Sequence, residues 1–311
     1  MDMTLTGIVL TIAGLALFES ITSIDNAIIN AEVLATMGQR ARRWFLTWGI
    51  LIAVFGVRGF LPWLIVFVMT PGLGPWDALT ASLTGDPVAM RAIQDSSPVL
   101  MMGGSVFFIF LFFHWLFLEQ KNYGIPAERI IARQGGWFYA VASILLTAIV
   151  WFAIDDRPVL AFGAVVGSTA FFITHGFRQH AEEQERHLMS GDAKVSDLGK
   201  ILYLEVIDLS FSVDGVIGAF AFTLSVPLIL LGNGIGAVVV RQLTVYGVER
   251  IRSYAYLKNG AMYSILVLGC VMLAHAFDYH VPEWLSPVAT FFIVGYFFWL
   301  SKRRIRKGPG K

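Results

Sequence analysis

The chain has 311 residues, of which 56% are hydrophobic and only 14% are charged, and its formal net charge is +1. A soluble domain carries about a quarter of charged residues, so this composition excludes an ordinary soluble protein. This net charge says little about partners, and we expect no nucleic-acid partner. The single cysteine, Cys270, excludes an intramolecular disulfide and a cysteine-based zinc site.

Long apolar runs predict an all-α polytopic membrane protein, because each spanning helix needs about 20 mostly apolar residues. Nine spans are predicted, at 5–36, 44–70, 99–118, 136–154, 158–176, 199–222, 226–248, 257–277 and 285–301. The first run lacks the basic start of a signal peptide, and we interpret it as a retained span. Segment 71–98 is expected to be an external loop, and 177–198 a solvated helical linker in the cytoplasm.

Basic residues occupy alternate loops and set the predicted orientation. They follow the first, third, fifth and seventh spans and crowd the tail 302–311, whereas the other loops are mainly acidic. By the positive-inside rule the basic loops face the cytoplasm. We therefore expect the N-terminus outside, the C-terminus inside, and a prokaryotic-type inner (plasma) membrane as the location.

Two stretches, 18–30 and 203–215, place acids deep inside apolar runs. Such acids are costly in a bilayer and usually functional. The two stretches align residue by residue, pairing Asp25 with Asp214, Glu19 with Asp208, Ser23 with Ser212, and Asn26 with Gly215.

The stretches lie in spans of opposite direction, which predicts an inverted repeat within one transmembrane domain, 1–311. Spans one to three (about 5–118) form the first repeat and spans six to eight (about 199–277) the second, with 136–176 inserted between them and 285–301 appended. Each repeat has an arginine in its second span and a histidine in its third, namely Arg58 and His114, then Arg241 and His275. Secondary transporters with this construction bind substrate where the repeats meet.

A regular helix would not direct all the acids towards one ion. Glu19, Ser23, Asn26 and Asn30 share a face, whereas Asp25 lies about 120° from Glu19. In the second stretch Asp214 likewise points away from the face that carries Glu205, Asp208 and Ser212. We therefore predict helix breaks at Asn26 and Gly215, which would let the acids converge and free carbonyl oxygens.

Carboxylate, amide and hydroxyl oxygens suit Mg²⁺, Ca²⁺ and Mn²⁺, and a nearby His114 or His275 would favour Mn²⁺. The acids outnumber the charges of one divalent ion, so Arg58 and Arg241 are expected to balance charge. Closely spaced carboxylates are also natural proton carriers, which makes proton-coupled exchange a hypothesis. The glycines at 103–104 and 232–236 are expected to permit close helix contact.

The spacing Glu19-x5-Asp25-Asn26, followed by Glu205-x2-Asp208-Leu-x-Phe-x-Val-Asp214, resembles the paired motifs of the TerC family of membrane proteins. The span-two arginine, the paired glycines of span three, Asn233-x7-Arg241 and Tyr256-Leu-Lys-x-Gly260 match as well. The resemblance implies manganese export, metal homeostasis or tellurite resistance. It also implies metal ligands at Glu19, Asp25, Asn26, Glu205, Asp208 and Asp214.

The chain departs from the TerC pattern at Gly215, where the family has serine, and no proline follows closely. The two inserted spans resemble a longer branch of the LysE-like exporter superfamily, whose substrate is less settled. Ca²⁺ therefore stands beside Mn²⁺ as a substrate.

Together these features predict a divalent-cation transporter that is not an enzyme and needs no organic cofactor. Its expected partners are metal ions and membrane lipid, and a homo-oligomer is left open. One alternative is a metal-sensing membrane scaffold that does not transport. Another is an intramembrane aspartyl protease using Asp25 and Asp214, although the Gly-x-Gly-Asp signature is absent.

Overall fold

The computed structural model describes residues 4–49, 52, 56, 58–70, 72–84, 87–189, 196–246 and 251–307. These residues form helices and connecting turns, with no strand among them. A π-helical turn, Phe45–Gly49, follows the third helix. The α-helices are α1 (Leu5–Thr22), α2 (Ile24–Ala35), α3 (Gln39–Trp44), α4 (Arg58–Met69), α5 (Pro75–Thr84), α6 (Pro87–Leu118), α7 (Pro126–Ala132), α8 (Trp137–Asp156), α9 (Pro158–Met189), α10 (Asp197–Phe220), α11 (Val226–Tyr246), α12 (Leu257–Ala276) and α13 (Leu285–Lys307).

The first acid stretch is interrupted at Ser23, where α1 ends and α2 begins. Just before this point the hydroxyls of Ser20 and Thr22 donate to the carbonyl oxygens of Ala16 and Phe18, at 2.6 and 2.9 Å. Such bonds compete with the regular backbone pattern and often bend helices. A break was predicted in this stretch at Asn26, and the structure has it three residues earlier.

The second acid stretch is not interrupted, so the break predicted at Gly215 is wrong. Helix α10 runs from Asp197 to Phe220, and its first turn is capped by the Ser196 hydroxyl, which accepts from the Gly199 amide at 3.2 Å. Gly215 serves close approach instead, because a Cβ atom there would collide with Oε2 of Glu19. A glycine can therefore remain inside a helix for packing without ending it.

The core is built around α6, which packs along α12 and α9. Between Met101 and Phe112 every α6 residue except Gly103 is buried. Helix α1 lies along α11, while α13 packs on both α12 and α1. Helices α8 and α9 pair with each other and turn large apolar side chains outward, such as Trp151 (68% exposed) and Phe162 (63% exposed).

Small residues allow these helices to approach closely, as predicted. A Cβ atom at Gly167 of α9 would overlap the carbonyl group of Gly103, and one at Gly104 would overlap the Met272 side chain of α12. On α11, a Cβ atom at Gly232 would lie 2.5 Å from Leu15. Close backbone approach is a common packing device between membrane helices.

Seven of the described helices are long and apolar enough to cross a membrane, so the chain is a polytopic membrane protein. They are Leu5–Thr22, Arg91–Leu118, Trp137–Asp156, Pro158–Phe177, Val226–Val245, Leu257–Ala276 and Leu285–Arg306. Two of the nine predicted spans are not in this set. Segment 44–70 lies partly outside the described residues, and the apolar part of α10 carries the acids Glu205, Asp208 and Asp214.

Both long predicted connections, 71–98 and 177–198, contain helical residues. Segment 71–98 forms α5 and the beginning of α6, in spite of its glycines and prolines. Proline is favourable in the first turn of a helix, and α5 and α6 begin at Pro75 and Pro87. Helix α9 continues beyond the fifth span to Met189, and residues 190–195 of the predicted linker lie outside the described residues.

Candidate functional site

The two acid stretches lie against each other in opposite directions. Phe18 and Glu19 meet α10 at Gly218 and Gly215, whereas Asn26 meets it at Asp208. Residue numbers thus rise along α1 and α2 while they fall along α10. Beyond α2, the Lys200 ammonium donates to the Thr36 carbonyl and hydroxyl oxygens, both at 3.0 Å, which ties the start of α10 to the end of α2.

A buried oxygen cluster lies where α2 meets α10, formed by Asn26, Asn30 and Asp208. The side-chain amides of Asn26 and Asn30 donate to the same Asp208 oxygen, at 2.5 and 3.0 Å. All three residues are at least 94% buried, with exposed fractions of 2%, 6% and 4%. The amide oxygens of Asn26 and Asn30 make no hydrogen bond within the described part of the chain. The cluster therefore combines a carboxylate with two amides whose oxygens accept no hydrogen bond from the described residues.

Glu19 lies about two helical turns before Asn26 and is 1% exposed. The Ser23 hydroxyl donates to Oε1 of Glu19 at 2.7 Å. Gly236 of α11 leaves room for the glutamate, because a Cβ atom there would lie 2.6 Å from the Glu19 Cβ atom. Asn233, one turn earlier on α11, is 2% exposed, and neither of its side-chain polar atoms has a partner among the described residues.

Asp25 points elsewhere and belongs to a charged bridge. The Lys258 ammonium lies 2.8 Å from Asp25 and 2.8 Å from Glu119, which follows α6. Asp214 lines the same small cavity of about 40 Å³ as Asp25, Glu119 and Lys258. The structure therefore separates Asp25 from Glu19, with which it was expected to converge.

Burial by itself raises the pKa of Glu119, but the nearby His114 imidazole and the Lys258 ammonium outweigh it. The pKa of Glu119 consequently lies well below its usual value, and the carboxylate is ionised at neutral pH. Next to Lys258, the Asn259 amide donates to Glu128 at 2.9 Å and to the Asn122 carbonyl oxygen at 3.0 Å. These bonds fix the first turn of α12, and hence the backbone that carries Lys258.

The remaining predicted site residues are dispersed. Glu205 is half-buried one turn before Asp208, and a Cβ atom at Gly49 would lie 2.6 Å from its carboxylate. The Ser212 hydroxyl donates to the carbonyl oxygen of Asp208 at 2.5 Å. His114 is buried with Nδ1 3.7 Å from Glu119.

His275 lines a separate cavity of about 490 Å³ near the start of α1. Arg241 is half-buried near the end of α11. The Arg58 side chain lies outside the described residues.

Sequence reasoning missed Lys258 and Glu119 as members of the site. Both stand at the ends of apolar helices, where a charge usually marks only the edge of a span. The available signal was a lysine at the very start of a predicted span, inside the Tyr256–Gly260 motif.

The arrangement is chemically suited to a hard cation. Among the described residues no three His, Cys, Asp or Glu side chains come together as a metal site. A cation at the oxygen cluster would therefore depend on the amide oxygens of Asn26 and Asn30 as well as on Asp208. Ligands of this kind are typical of Ca²⁺, Mg²⁺ and Mn²⁺.

The chain belongs to the DUF475 family of proteins of unknown function, whose family model matches residues 24–308. Beside this assignment, the predicted resemblance to TerC is a distant similarity. An uncharacterized membrane protein of Bacillus subtilis (strain 168), YceF, is 30% identical over 94 residues, or 30% of this chain and 35% of that protein. A UPF0053 protein of Haemophilus influenzae is 26% identical over 106 residues, or 34% of this chain and 45% of that protein. The chain thus spans less than half the length of these relatives, and no solved structure matches it.

Proposed function

We propose that this member of the DUF475 family transports a divalent cation, Mn²⁺ or Ca²⁺, through the oxygen cluster of Asn26, Asn30 and Asp208. The observation that carries the proposal is a buried carboxylate flanked by two amides whose oxygens have no hydrogen-bond partner in the described chain. Buried acids within membrane helices usually mark an ion pathway.

The amides now donate to Asp208 the two hydrogen bonds that a cation would replace. When a cation arrives, both amides turn so that their oxygens face it, and Asp208 supplies the negative charge. Glu19 lies within the same packed region and is held by Ser23. Its contact with Gly215 places it about two helical turns from Asp208 along α10, so Glu19 is a second buried carboxylate on the proposed path and not a ligand of the same ion.

The helix packing supports an inverted repeat. Helix α1 lies along α11, and α10 packs against α4, while α6 lies along α12. These are the pairings expected if a two-fold axis exchanges spans one to three with spans six to eight. The oxygen cluster then lies where the two repeats meet, the usual location of substrate in secondary transporters.

The orientation remains the one proposed from charge, with the N-terminus outside and basic loops in the cytoplasm of a bacterial inner membrane. With α10 and segment 44–70 counted as spans, the total is nine. A span containing three acids is acceptable where those acids face other helices instead of lipid. Asp208 and Asp214 are 4% and 7% exposed, which supports this interpretation.

The choice between Mn²⁺ and Ca²⁺ rests on the ligands. Once the two amides have turned, all three side chains of the oxygen cluster offer oxygen ligands, which both ions accept. The distant likeness to TerC proteins favours Mn²⁺. A histidine ligand would also favour Mn²⁺, but His114 and His275 lie outside the cluster. Proton coupling and export as the direction belong to this proposal as further hypotheses.

A protease is a weaker candidate, because Asp25 is ion-paired with Lys258 and the two aspartates of a protease must share a proton. The test is uptake of Mn²⁺ and Ca²⁺ into proteoliposomes containing the native chain or Asp208→Asn. We expect flux of one ion that the substitution abolishes. Binding without flux would identify a metal-sensing scaffold, and neither binding nor flux would contradict the proposal.

A further inference from the structure

Lys258 joins three parts of the chain at one end of the acid stretches. Its ammonium contacts Asp25 on α2 and Glu119 after α6, each at 2.8 Å, while its backbone belongs to α12. We propose that Lys258 is a tethered counter-cation that closes the small cavity of Asp25 and Asp214, and that a cation entering this cavity from the cytoplasm must displace it from Asp25. This inference rests on the proposed transport function.

The position of the bridge supports a closing role. The cavity beside it is about 40 Å³, little more than the share of one water molecule in the liquid. Lys258 and Asp25 are each 39% exposed and Glu119 is 26% exposed, whereas Asp214 deeper in the cavity is 7% exposed. The bridge therefore stands between the cavity and the solvent.

The far end of the site is closed differently. The 490 Å³ cavity near the start of α1 is lined by Ile8 and Phe222. The Phe222 ring packs on Phe18 at 5.8 Å between centroids, and Phe18 directly precedes Glu19. An aromatic contact thus separates Glu19 from that cavity, while a charged bridge closes the opposite end.

The charges favour exchange of one cation for another. One ammonium faces two carboxylates, and a divalent ion that reaches Asp25 competes for the same oxygens. Because ion pairs with substantial exposure are individually weak, the bridge can open. Asn259 holds the adjacent backbone through Glu128 and Asn122, so opening requires only that the flexible lysine side chain swing away.

Thiol labelling tests directly whether the Lys258 bridge is a barrier between the small cavity and the solvent. Thr22 lines the small cavity, and its replacement, Thr22→Cys, is made in a Cys270→Ala background. Inside-out membrane vesicles are treated with a membrane-impermeant methanethiosulfonate reagent, which is too large for the closed cavity. We expect Lys258→Met to label at least about fivefold faster than the parent, as the loss of two partly exposed ion pairs implies.

Three further variants complete the design. Glu119→Gln weakens the bridge while keeping Lys258, so it should also be labelled faster than the parent. If Lys258→Met does not fold, Glu119→Gln is used in its place. Lys258→Arg should stay as slow as the parent. Arg252→Met is the matched control, because Arg252 pairs with Glu32 outside the bridge, and its rate should not change.

Equal labelling with and without the bridge, or an equal acceleration by Arg252→Met, overturns the inference. The readout does not depend on transport. Faster labelling in a chain that moves no cation would reject the proposed function and leave the barrier, whereas cation flux with unchanged labelling would reject the barrier alone.

Discussion

Glu19 lies against Gly215, and Asp208 lies against Asn26 in the corresponding place of the other acid stretch. The two contacts pair equivalent positions in exchanged roles, as a two-fold axis between antiparallel helices requires. In each contact the sizes of the two side chains are complementary. The longer glutamate faces a residue without a side chain, and the shorter aspartate faces an asparagine that reaches it.

This complementarity predicts the effect of Gly215→Ala. Alanine is normally better than glycine inside a helix by about 1 kcal/mol, but here its Cβ atom collides with Oε2 of Glu19. Because the obstacle is the movable end of a side chain, we expect the collision to cancel this gain and leave Gly215→Ala no more stable than the native chain, measured by thermal unfolding in detergent. Gly234→Ala is the control, because nothing lies within 4 Å of its added atom. An equal response of the two variants would contradict the contact.

The two equivalent serines should differ in their importance. Ser23 donates to the Glu19 carboxylate, whereas Ser212 donates to the backbone carbonyl of Asp208. Hydrogen bonds to charged groups contribute about 1.5–3 kcal/mol, and neutral ones about 0.5–1.5 kcal/mol. Ser23→Ala should therefore lower the unfolding temperature more than Ser212→Ala. The reverse order would mean that Glu19 is not held as described.

The close crossing of α6 and α9 should tolerate no side chain at position 167. In Gly167→Ala the new Cβ atom overlaps the Gly103 carbonyl group, so the two helices must separate. We expect a destabilisation of several kcal/mol because the obstacle is backbone and cannot rotate away. Gly176→Ala on the same helix meets nothing within 4 Å and serves as the control. The detergent-solubilised yield and the unfolding temperature of the two variants are compared with those of the native chain. A Gly167→Ala variant as stable as Gly176→Ala would contradict the close crossing.

Glu119 gives the protein a defined pH dependence. Since its pKa is lowered on folding, the carboxylate stabilises the folded state above its unfolded pKa of about 4.5, and this contribution disappears as the pH falls further. The difference in unfolding temperature between the native chain and Glu119→Gln should be constant near neutrality and shrink below pH 4.5. A difference that stays constant down to pH 3 would show that Lys258 does not hold this carboxylate ionised.

Several features of the site could be predicted because they depend on local geometry. Helical periodicity places Glu19, Asn26 and Asn30 on one face, and Asn26 and Asn30 indeed reach the same Asp208 oxygen. The same periodicity turns Asp25 aside, and the structure pairs it with Lys258. The interruption at Ser23 is too slight to bring Asp25 back to the face of Glu19.

Other features depend on what approaches from elsewhere in the chain. Gly215 was taken as a helix break because the sequence does not reveal that Glu19 packs on it. Lys258 resembled a loop charge, since its two partners, Asp25 and Glu119, are distant in sequence. Helix α5 was missed because glycine and proline were weighed as loop residues, although Pro75 is at its first position.

Equilibrium binding of Mn²⁺ to the purified chain, followed by electron paramagnetic resonance with Ca²⁺ as competitor, tests the central claim most directly. We expect saturable binding of Mn²⁺, and we expect added Ca²⁺ to displace the bound Mn²⁺. In Asp208→Asn the affinity for Mn²⁺ should fall by about a hundredfold or more, the loss expected when a buried charged ligand is removed. Asp155→Asn, an exposed aspartate at the end of α8, should bind as the native chain does. Binding that is unchanged in Asp208→Asn, or no binding of either ion by the folded native chain, would contradict the assignment of the oxygen cluster as a cation site.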